Sequence, residues 1–326
     1  MAADGGTKAV VAALLANTGI AITKFAAFFV SGISSMLAEA IHSVADAGNQ
    51  GLLLLGGRKA KKEATEEHPF GYGRERYIYA FIVAIVLFSV GGLFALYEAY
   101  HKFHEIQEGH ADLPSGWRLY LPLVVLAIAI VLESLSFRTA IIETNKVRGK
   151  ASFATFIRRA KQPELPVILL EDLAALLGLI FAFVAVSVTI LTENQYFDVV
   201  GTAMIGVLLV VVAITLAIET KSLLLGESAS EDAQDRIRVA IEGTHEFDRI
   251  IHLKTLHLGP EELLVAAKVA VARGVTTDQI ASAIDDAERA IREAEPLSSV
   301  IYLEPDIFRE DYVPAERPEP PPPAGH

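Results

Sequence analysis

The side chains with the clearest chemical potential in this sequence are a histidine, an aspartate and an asparagine within one apolar stretch. His42, Asp46 and Asn49 lie between Ile33 and Gly57, a stretch long enough to form a helix at membrane depth. Spacings of four and three residues place the three side chains on one face of such a helix. An imidazole and a carboxylate one turn apart are half of a divalent-metal site. The pattern predicts a metal or ion site, the alternative being that His42 and Asp46 only hydrogen-bond to neighbouring helices.

A second group of ionisable side chains lies in later apolar stretches. Glu171 and Asp172 are adjacent, at a depth where a leucine would pack better than a carboxylate. Neighbouring positions on a helix point about 100° apart, so only one of the two can face a shared site directly. We expect Asp172 to be the inward ligand and Glu171 its neighbour, or Glu171 to pair with a basic loop residue at the membrane boundary. Glu133 is a candidate for a proton relay or for helix packing.

Composition restricts the kinds of site that this chain can build. Of its 326 residues, 52% are hydrophobic, and there is no cysteine. A mean hydropathy of +0.41 is too high for a soluble protein of this size. Thiolate metal sites and disulfides are excluded, which leaves His, Asp, Glu and Asn as ligands. From Gly226 onward, 21 acidic residues accompany 10 basic ones, so nothing indicates nucleic-acid binding.

Six apolar stretches are each long enough to cross roughly 30 Å of hydrocarbon as a helix. They cover residues 8–30, 33–57, 77–100, 119–142, 165–191 and 197–225. Lysine and arginine concentrate in the connections between the second and third stretches and between the fourth and fifth. The positive-inside rule then places these connections and both termini in the cytoplasm. We predict a polytopic α-helical membrane protein with six transmembrane helices in residues 1–225.

The remainder of the chain has the pattern of a small soluble domain. Helical spacing of apolar residues at 232–244 and 277–294 alternates with strand patterns at 250–257, 263–271 and 299–303. The order α-β-β-α-β predicts an α+β, ferredoxin-like cytoplasmic domain over residues 226–308. Residues 309–326 are rich in proline and are predicted to be disordered.

With these features, the sequence resembles the cation diffusion facilitator family of metal transporters. The resemblance rests on the six stretches, on the His42-x-x-x-Asp46 pair, on an acid in the fifth stretch and on the α-β-β-α-β end. The segment His68-Pro-Phe-Gly-Tyr-Gly-Arg74 is also similar to a His-Pro-x-Gly-x-Gly-Lys signature of that family. The Glu171-Asp172-x-Ala-Ala form of the fifth stretch looks most like the branch that contains zinc transporter nine.

The resemblance implies proton-coupled export of a divalent metal by a homodimer in a lipid bilayer. In that family the metal is bound between the second and fifth helices. His42 and Asp46 match the first pair of ligands, and Asp172 matches one member of the second pair. The other member falls at Ile168, which cannot coordinate a metal.

The unfilled position leaves the choice of metal open. Asn49, Glu171 or a water could complete the set of ligands, and Zn²⁺ is favoured, with Mn²⁺, Fe²⁺ and Co²⁺ as alternatives. The resemblance also matches His68 to a ligand of a cytoplasmic-loop site, so His68 is either an accessory entry ligand or structural. Protons compete with metal for the lone pairs of His42 and Asp46, which provides a means of coupling.

Two other functions compete with transport. An intramembrane metalloenzyme would need an open metal position and a separate base, but the sequence has no His-Glu-x-x-His motif. A membrane-anchored scaffold or receptor would use its acidic cytoplasmic domain to bind a partner. We expect a transporter rather than an enzyme, located in a bacterial inner membrane.

Overall fold

The structure is a computed structural model that describes residues 3–109 and 116–310, with side chains from residue 17 onward. The chain divides into two compact units. One takes the chain up to Glu227 together with His257–Glu261, and the other takes Ser228–Leu256 and the residues from Glu262 onward. Most of the proline-rich segment predicted to be disordered, residues 311–326, lies outside the described residues.

The first unit is built from long helices. They are α1 (Ala3–Ser31), α2 (Ser34–Lys59), α3 (Glu75–Val86), α4 (Phe94–Gln107), α5 (Leu121–Val147), α6 (Phe153–Arg159), α7 (Glu164–Thr192) and α8 (Tyr196–Leu225). A π-helical segment, Leu87–Leu93, connects α3 to α4, so the two form one rod. The short α6 begins at Ser152, whose hydroxyl accepts a hydrogen bond from the backbone N–H of Thr155.

Four helices of the described chain are long and apolar enough to cross a membrane. They are Glu75–Gln107, Gly116–Val147, Glu164–Thr192 and Tyr196–Leu225. α2 has the necessary length, but the polar side chains of the predicted site lower its mean hydropathy. On α5, side chains spaced three and four residues apart form an exposed apolar face, which includes Val124, Ile128 and Val131. Such a face is stable in hydrocarbon, and we conclude that this unit is an integral membrane domain.

Small residues allow α8 to approach its neighbours closely. A Cβ atom added to Gly201 would overlap the Cβ of Ala185 on α7. A Cβ atom added to Gly206 would lie 2.9 Å from the backbone nitrogen of Leu96 on α4. Membrane helices associate through such contacts because lipid is as apolar as leucine, so packing must replace the hydrophobic effect.

The N-terminus of α2 is held by an acidic residue from α8. The Asp198 carboxylate accepts hydrogen bonds from the backbone N–H of Ser34 at 2.8 Å and from the Ser35 hydroxyl at 2.5 Å. Asp198 is buried. Because the first N–H groups of a helix have no partner within the helix, this carboxylate satisfies them across a helix–helix contact. The contact fixes the depth at which α2 begins, and with it the depth of His42.

The second unit contains two helices and a three-stranded sheet in the order β1-β2-β3. Its elements are α9 (Glu231–Glu242), β1 (Phe247–Gly259), β2 (Glu262–Val271), α10 (Thr277–Ala294) and β3 (Ser298–Asp306). β2 and β3 are parallel, with Leu264 opposite Val300. Both helices and the sheet share one core, in which Ile237, Val265 and Ile291 are fully buried. β1 is longer at both ends than the alternation of apolar residues predicts.

We expect Gly201→Ala to lower the free energy of unfolding by about 1–3 kcal/mol, because the added methyl group overlaps Ala185. The measurement is the midpoint of thermal unfolding in detergent. The matched control is Gly57→Ala on α2, where the added methyl group meets no described atom within 4 Å. Equal midpoints for the two variants would contradict the close packing of α7 and α8.

Candidate functional site

The three polar residues predicted to share one face of α2 all turn into the helix bundle. His42 and Asn49 are buried, and Asp46 is half-buried between them. The Nε2 atom of His42 lies 3.6 Å from Oδ2 of Asp46, one turn further along the helix. The regular spacing along the helix therefore produces a continuous polar strip inside an otherwise apolar bundle.

Several atoms of this strip are buried and receive no hydrogen bond from the part of the chain that the structure describes. They are both ring nitrogens of His42, Oδ1 of Asp46 and Oδ1 of Asn49. Buried polar atoms are normally paired, because leaving one unpaired costs about 1–3 kcal/mol. Unpaired nitrogen and oxygen atoms in one row present lone pairs that a bound cation can accept. This row is the strongest chemical feature of the membrane unit.

The adjacent acids of α7 diverge towards two different helices. Glu171 is buried, and its Oε1 accepts a hydrogen bond from Nδ2 of Asn49. Asp172 is half-buried, and its Oδ2 accepts a hydrogen bond from the Ser136 hydroxyl of α5 at 2.9 Å. The direct bond from α7 to α2 is thus made by Glu171, while we expected Asp172 to be the inward ligand. Asp172 still interacts electrostatically with Asp46.

α5 contributes a further carboxylate to the same region. Glu133 is half-buried, and its charge interacts with those of Asp46 and Asp172. Ile168, at the position where the resembled family has a ligand, is a half-buried apolar side chain. Acids from two helices, α5 and α7, therefore lie near the strip on α2.

These candidate metal ligands surround one region, but they do not form a complete coordination shell. Within residues 3–109 and 116–310, no group of three or more His, Asp or Glu side chains is close enough to hold a metal ion. The structure brings Asn49 into contact with Glu171, and His42 near Asp46. It does not bring the two pairs together around one point.

The π-helical segment places glycine beside the histidine. A Cβ atom added to Gly91 would lie 4.0 Å from Nδ1 of His42. π-Helical segments are rare and occur frequently at functional sites. The sequence signal for this feature is the pair Gly91-Gly92 in the middle of an apolar stretch, and the π-helical segment was not predicted from it.

A buried ion pair lies one turn before His42. The ammonium group of Lys24 on α1 donates hydrogen bonds to Oε2 of Glu39 at 3.0 Å and to Oγ of Ser43 at 2.8 Å. All three side chains are buried. Glu39 is three residues before His42, so helical spacing alone places it near the predicted site, although it was not among the predicted site residues.

His68 lies away from this cluster, in the connection between α2 and α3. Its side chain is exposed, and its ring meets the ring of Tyr72 edge-on at 4.7 Å between centroids. Its backbone N–H donates to the Thr65 hydroxyl, and its carbonyl accepts from Gly71. In this structure His68 shapes a turn.

Basic residues of the predicted cytoplasmic connections pair with acids beside the helix ends. Arg76 donates to Glu164 at 2.5 Å, which joins α3 to α7. Lys161 donates to Glu227, which follows α8. Partial burial is the largest single influence and would raise the pKa of Glu227, but hydrogen bonds from Lys161 and Ser222 and the positive charge of Lys161 together outweigh it, so the pKa is lowered. Glu227 therefore stays ionised and keeps the end of α8 bound to the start of α7.

The hydrogen bond between Asn49 and Glu171 is testable in the metal-free protein. We expect Asn49→Ala to lower the free energy of unfolding by about 1–3 kcal/mol, because it leaves a buried carboxylate oxygen without its donor. Gln50→Ala is the matched control. In a Glu171→Ala background, Asn49→Ala should lower the free energy of unfolding by less than it does in the wild type, because the effects of coupled residues are not additive. Losses of equal size in both backgrounds, measured by thermal unfolding with a chelator present, would show that the two side chains are not coupled.

Comparison with known protein families identifies most of the membrane unit. The model of the cation efflux transmembrane domain matches residues 10–225. The human protein "Proton-coupled zinc antiporter SLC30A9, mitochondrial" is 31% identical over 267 residues, which are 81% of this chain and 46% of that protein. "Metal tolerance protein C4" of Arabidopsis thaliana is 26% identical over 264 residues, which are 80% of this chain and 56% of that protein.

A third relative comes from a bacterium. "Magnetosome protein MamB" of Paramagnetospirillum magneticum is 25% identical over 227 residues, which are 65% of this chain and 74% of that protein. The chain spans about half the length of the human and plant relatives. The matched domain and the names of these relatives point to transport rather than to catalysis.

Proposed function

The chain belongs to the cation efflux family, and from this premise we propose that it carries a divalent metal cation across a membrane by alternating access. The cation is held between α2 and α7. The observation that carries the proposal is the row of buried nitrogen and oxygen atoms on α2, which the described residues leave without hydrogen bonds. If these side chains had only a structural role, we would expect neighbouring residues to form hydrogen bonds with them. Hydrocarbon offers no other hydrogen-bonding partner.

The proposed ligands are His42 and Asp46 from α2 and Asp172 from α7. Asn49 and Glu171 complete the set, since their hydrogen bond places both beside the strip on α2. Ile168 stays outside the set. Glu133 is an accessory group that accepts protons near the site, because its charge interacts with Asp46 and Asp172.

Alternating access accounts for the unfinished coordination shell. The ligand pairs lie on different helices, and no group of three is assembled in the described chain. A relative movement of α7 against α2 would bring the pairs together around a cation and separate them again on release. Exchange of the hydrogen bond between Asn49 and Glu171 for bonds to the metal would drive the closing step.

Zn²⁺ is the favoured substrate and protons are the coupling ion. A neutral imidazole beside carboxylates suits zinc, while a set richer in oxygen also suits Mn²⁺, Fe²⁺ or Co²⁺. The human relative is named a proton-coupled zinc antiporter, which supports this choice. Metal can bind only when His42 and the carboxylates have lost their protons, so metal and protons occupy the site alternately.

The proposed organisation has six membrane-spanning helices in residues 1–225, with both termini in the cytoplasm. Residues 226–308 form a ferredoxin-like cytoplasmic domain through which two copies associate as a homodimer. Support comes from the basic connections, which follow the positive-inside rule, and from the element order α-β-β-α-β. We assign the protein to a bacterial inner membrane, and we keep His68 as an accessory entry ligand.

We expect purified wild-type protein in sealed proteoliposomes to move Zn²⁺ when a proton gradient is applied. Asp46→Asn should reduce this flux at least about tenfold, because it removes a charged ligand while keeping the shape of the side chain. Glu143→Gln is the matched control, since Glu143 is an exposed acid of α5 paired with Lys146. Parallel assays with Mn²⁺, Fe²⁺ and Co²⁺ identify the substrate.

Three results would count against different parts of the proposal. Wild-type vesicles that carry none of these metals, with folded and correctly oriented protein, would exclude transport. Metal flux into or out of the vesicles that continues at the same rate without a proton gradient would exclude proton coupling. It would leave the proposed metal site in place. Loss of flux in Glu143→Gln as well as in Asp46→Asn would show that the effect is not specific to the site.

A further inference from the structure

A buried lysine in a cation-binding protein needs an explanation, because it repels the substrate. Lys24 is 3% exposed and Glu39, its partner, is 0% exposed. Taking the two charges out of water is unfavourable, and a pair of apolar side chains of similar size would pack as well or better. The ion pair is therefore a costly feature, and stability alone does not account for it.

The position of the pair connects it to the site. Glu39 is one turn before His42 on α2, and Ser43, which accepts the second hydrogen bond of Lys24, is the next residue after His42. The charge of Lys24 acts on Asp46 and on Glu133 as well as on Glu39. One permanent positive charge thus contacts one carboxylate and acts on two others, which belong to α2 and α5.

The carboxylate of Glu39 also touches α7. Its Oε1 is buried and accepts no hydrogen bond from any described residue. A Cβ atom added to Gly178 would lie 2.7 Å from this oxygen. Gly178 lies on the same helix as Glu171 and Asp172, so the Glu39 carboxylate occupies the contact between the two helices that carry the proposed ligands.

We propose that Lys24 is a positioning residue that sets the affinity of the metal site. It holds Glu39 in place between α2 and α7, and its positive charge offsets one of the negative charges that attract the metal. This inference rests on the proposed function. A site with too much negative charge would bind a divalent cation tightly and release it slowly, because unlike charges attract strongly where water is excluded. Lys24 weakens this attraction by a fixed amount.

The test uses two substitutions that change the charge in opposite directions. Lys24→Gln leaves the site more negative and should tighten Zn²⁺ binding about tenfold, while Glu39→Gln leaves it more positive and should weaken binding about tenfold. Lys24→Arg, which keeps the charge, and the double variant Lys24→Gln/Glu39→Gln, which keeps the net charge, should both stay near the wild-type affinity. The measurement is equilibrium Zn²⁺ binding to the full-length protein in detergent.

Transport kinetics supply a second readout. In vesicles, Lys24→Gln should lower both KM and the maximal rate, because tighter binding slows release. Lost structure would lower the maximal rate without lowering KM. If Lys24→Gln does not fold, the comparison of Glu39→Gln with the double variant carries the test, since removal of Lys24 from that background must tighten binding.

The outcomes separate this inference from the proposed function. Shifts of opposite sign in the two single variants support a charge that sets affinity. Shifts of the same sign, or unchanged affinities, overturn it and leave the ion pair a structural contact. A wild-type protein that binds no Zn²⁺ at a site sensitive to Asp46→Asn overturns the proposed function, and this inference with it.

Discussion

A charged side chain in the middle of a membrane helix has no water around it, so other side chains must provide its solvation. This constraint organises the membrane unit. Lys24 pairs with Glu39, Asn49 donates to Glu171, and Ser136 donates to Asp172. Each of these bonds joins two different helices. The polar side chains therefore act together with the close contacts of small residues to determine which helices meet and at what depth.

Close approach of the helices makes these bonds feasible, and glycine provides it. Gly178 leaves space for the Glu39 carboxylate, and Gly91 brings the π-helical segment beside His42. A larger side chain at Gly178 would collide with the Glu39 carboxylate and would push α2 and α7 apart. The cost of glycine in a helix is about 1 kcal/mol in water, and here the shorter interhelical distance offsets it.

In the site, some polar atoms are hydrogen-bonded and others are not, and this difference suits a carrier. Some polar atoms are fully paired, such as the ammonium group of Lys24, while the row on α2 from His42 to Asn49 keeps atoms that the described chain does not pair. A permanent binding protein would assemble all ligands around one point. A carrier needs ligands that reach the cation in one arrangement of the helices and lose it in another, so an unfinished shell in a single structure agrees with the proposed mechanism.

The sequence by itself determined the positions of the long helices, the common face of His42, Asp46 and Asn49, and the α-β-β-α-β order that follows. Helical and strand periodicities depend on neighbouring residues alone, so these features could be predicted. Only the tertiary structure decided that Glu171, rather than Asp172, bonds directly to α2, and that Glu39 pairs with Lys24. It also decided where the π-helical segment lies. These features depend on the rotation of one helix against another, which is set by glycine contacts and interhelical hydrogen bonds between residues far apart in the chain.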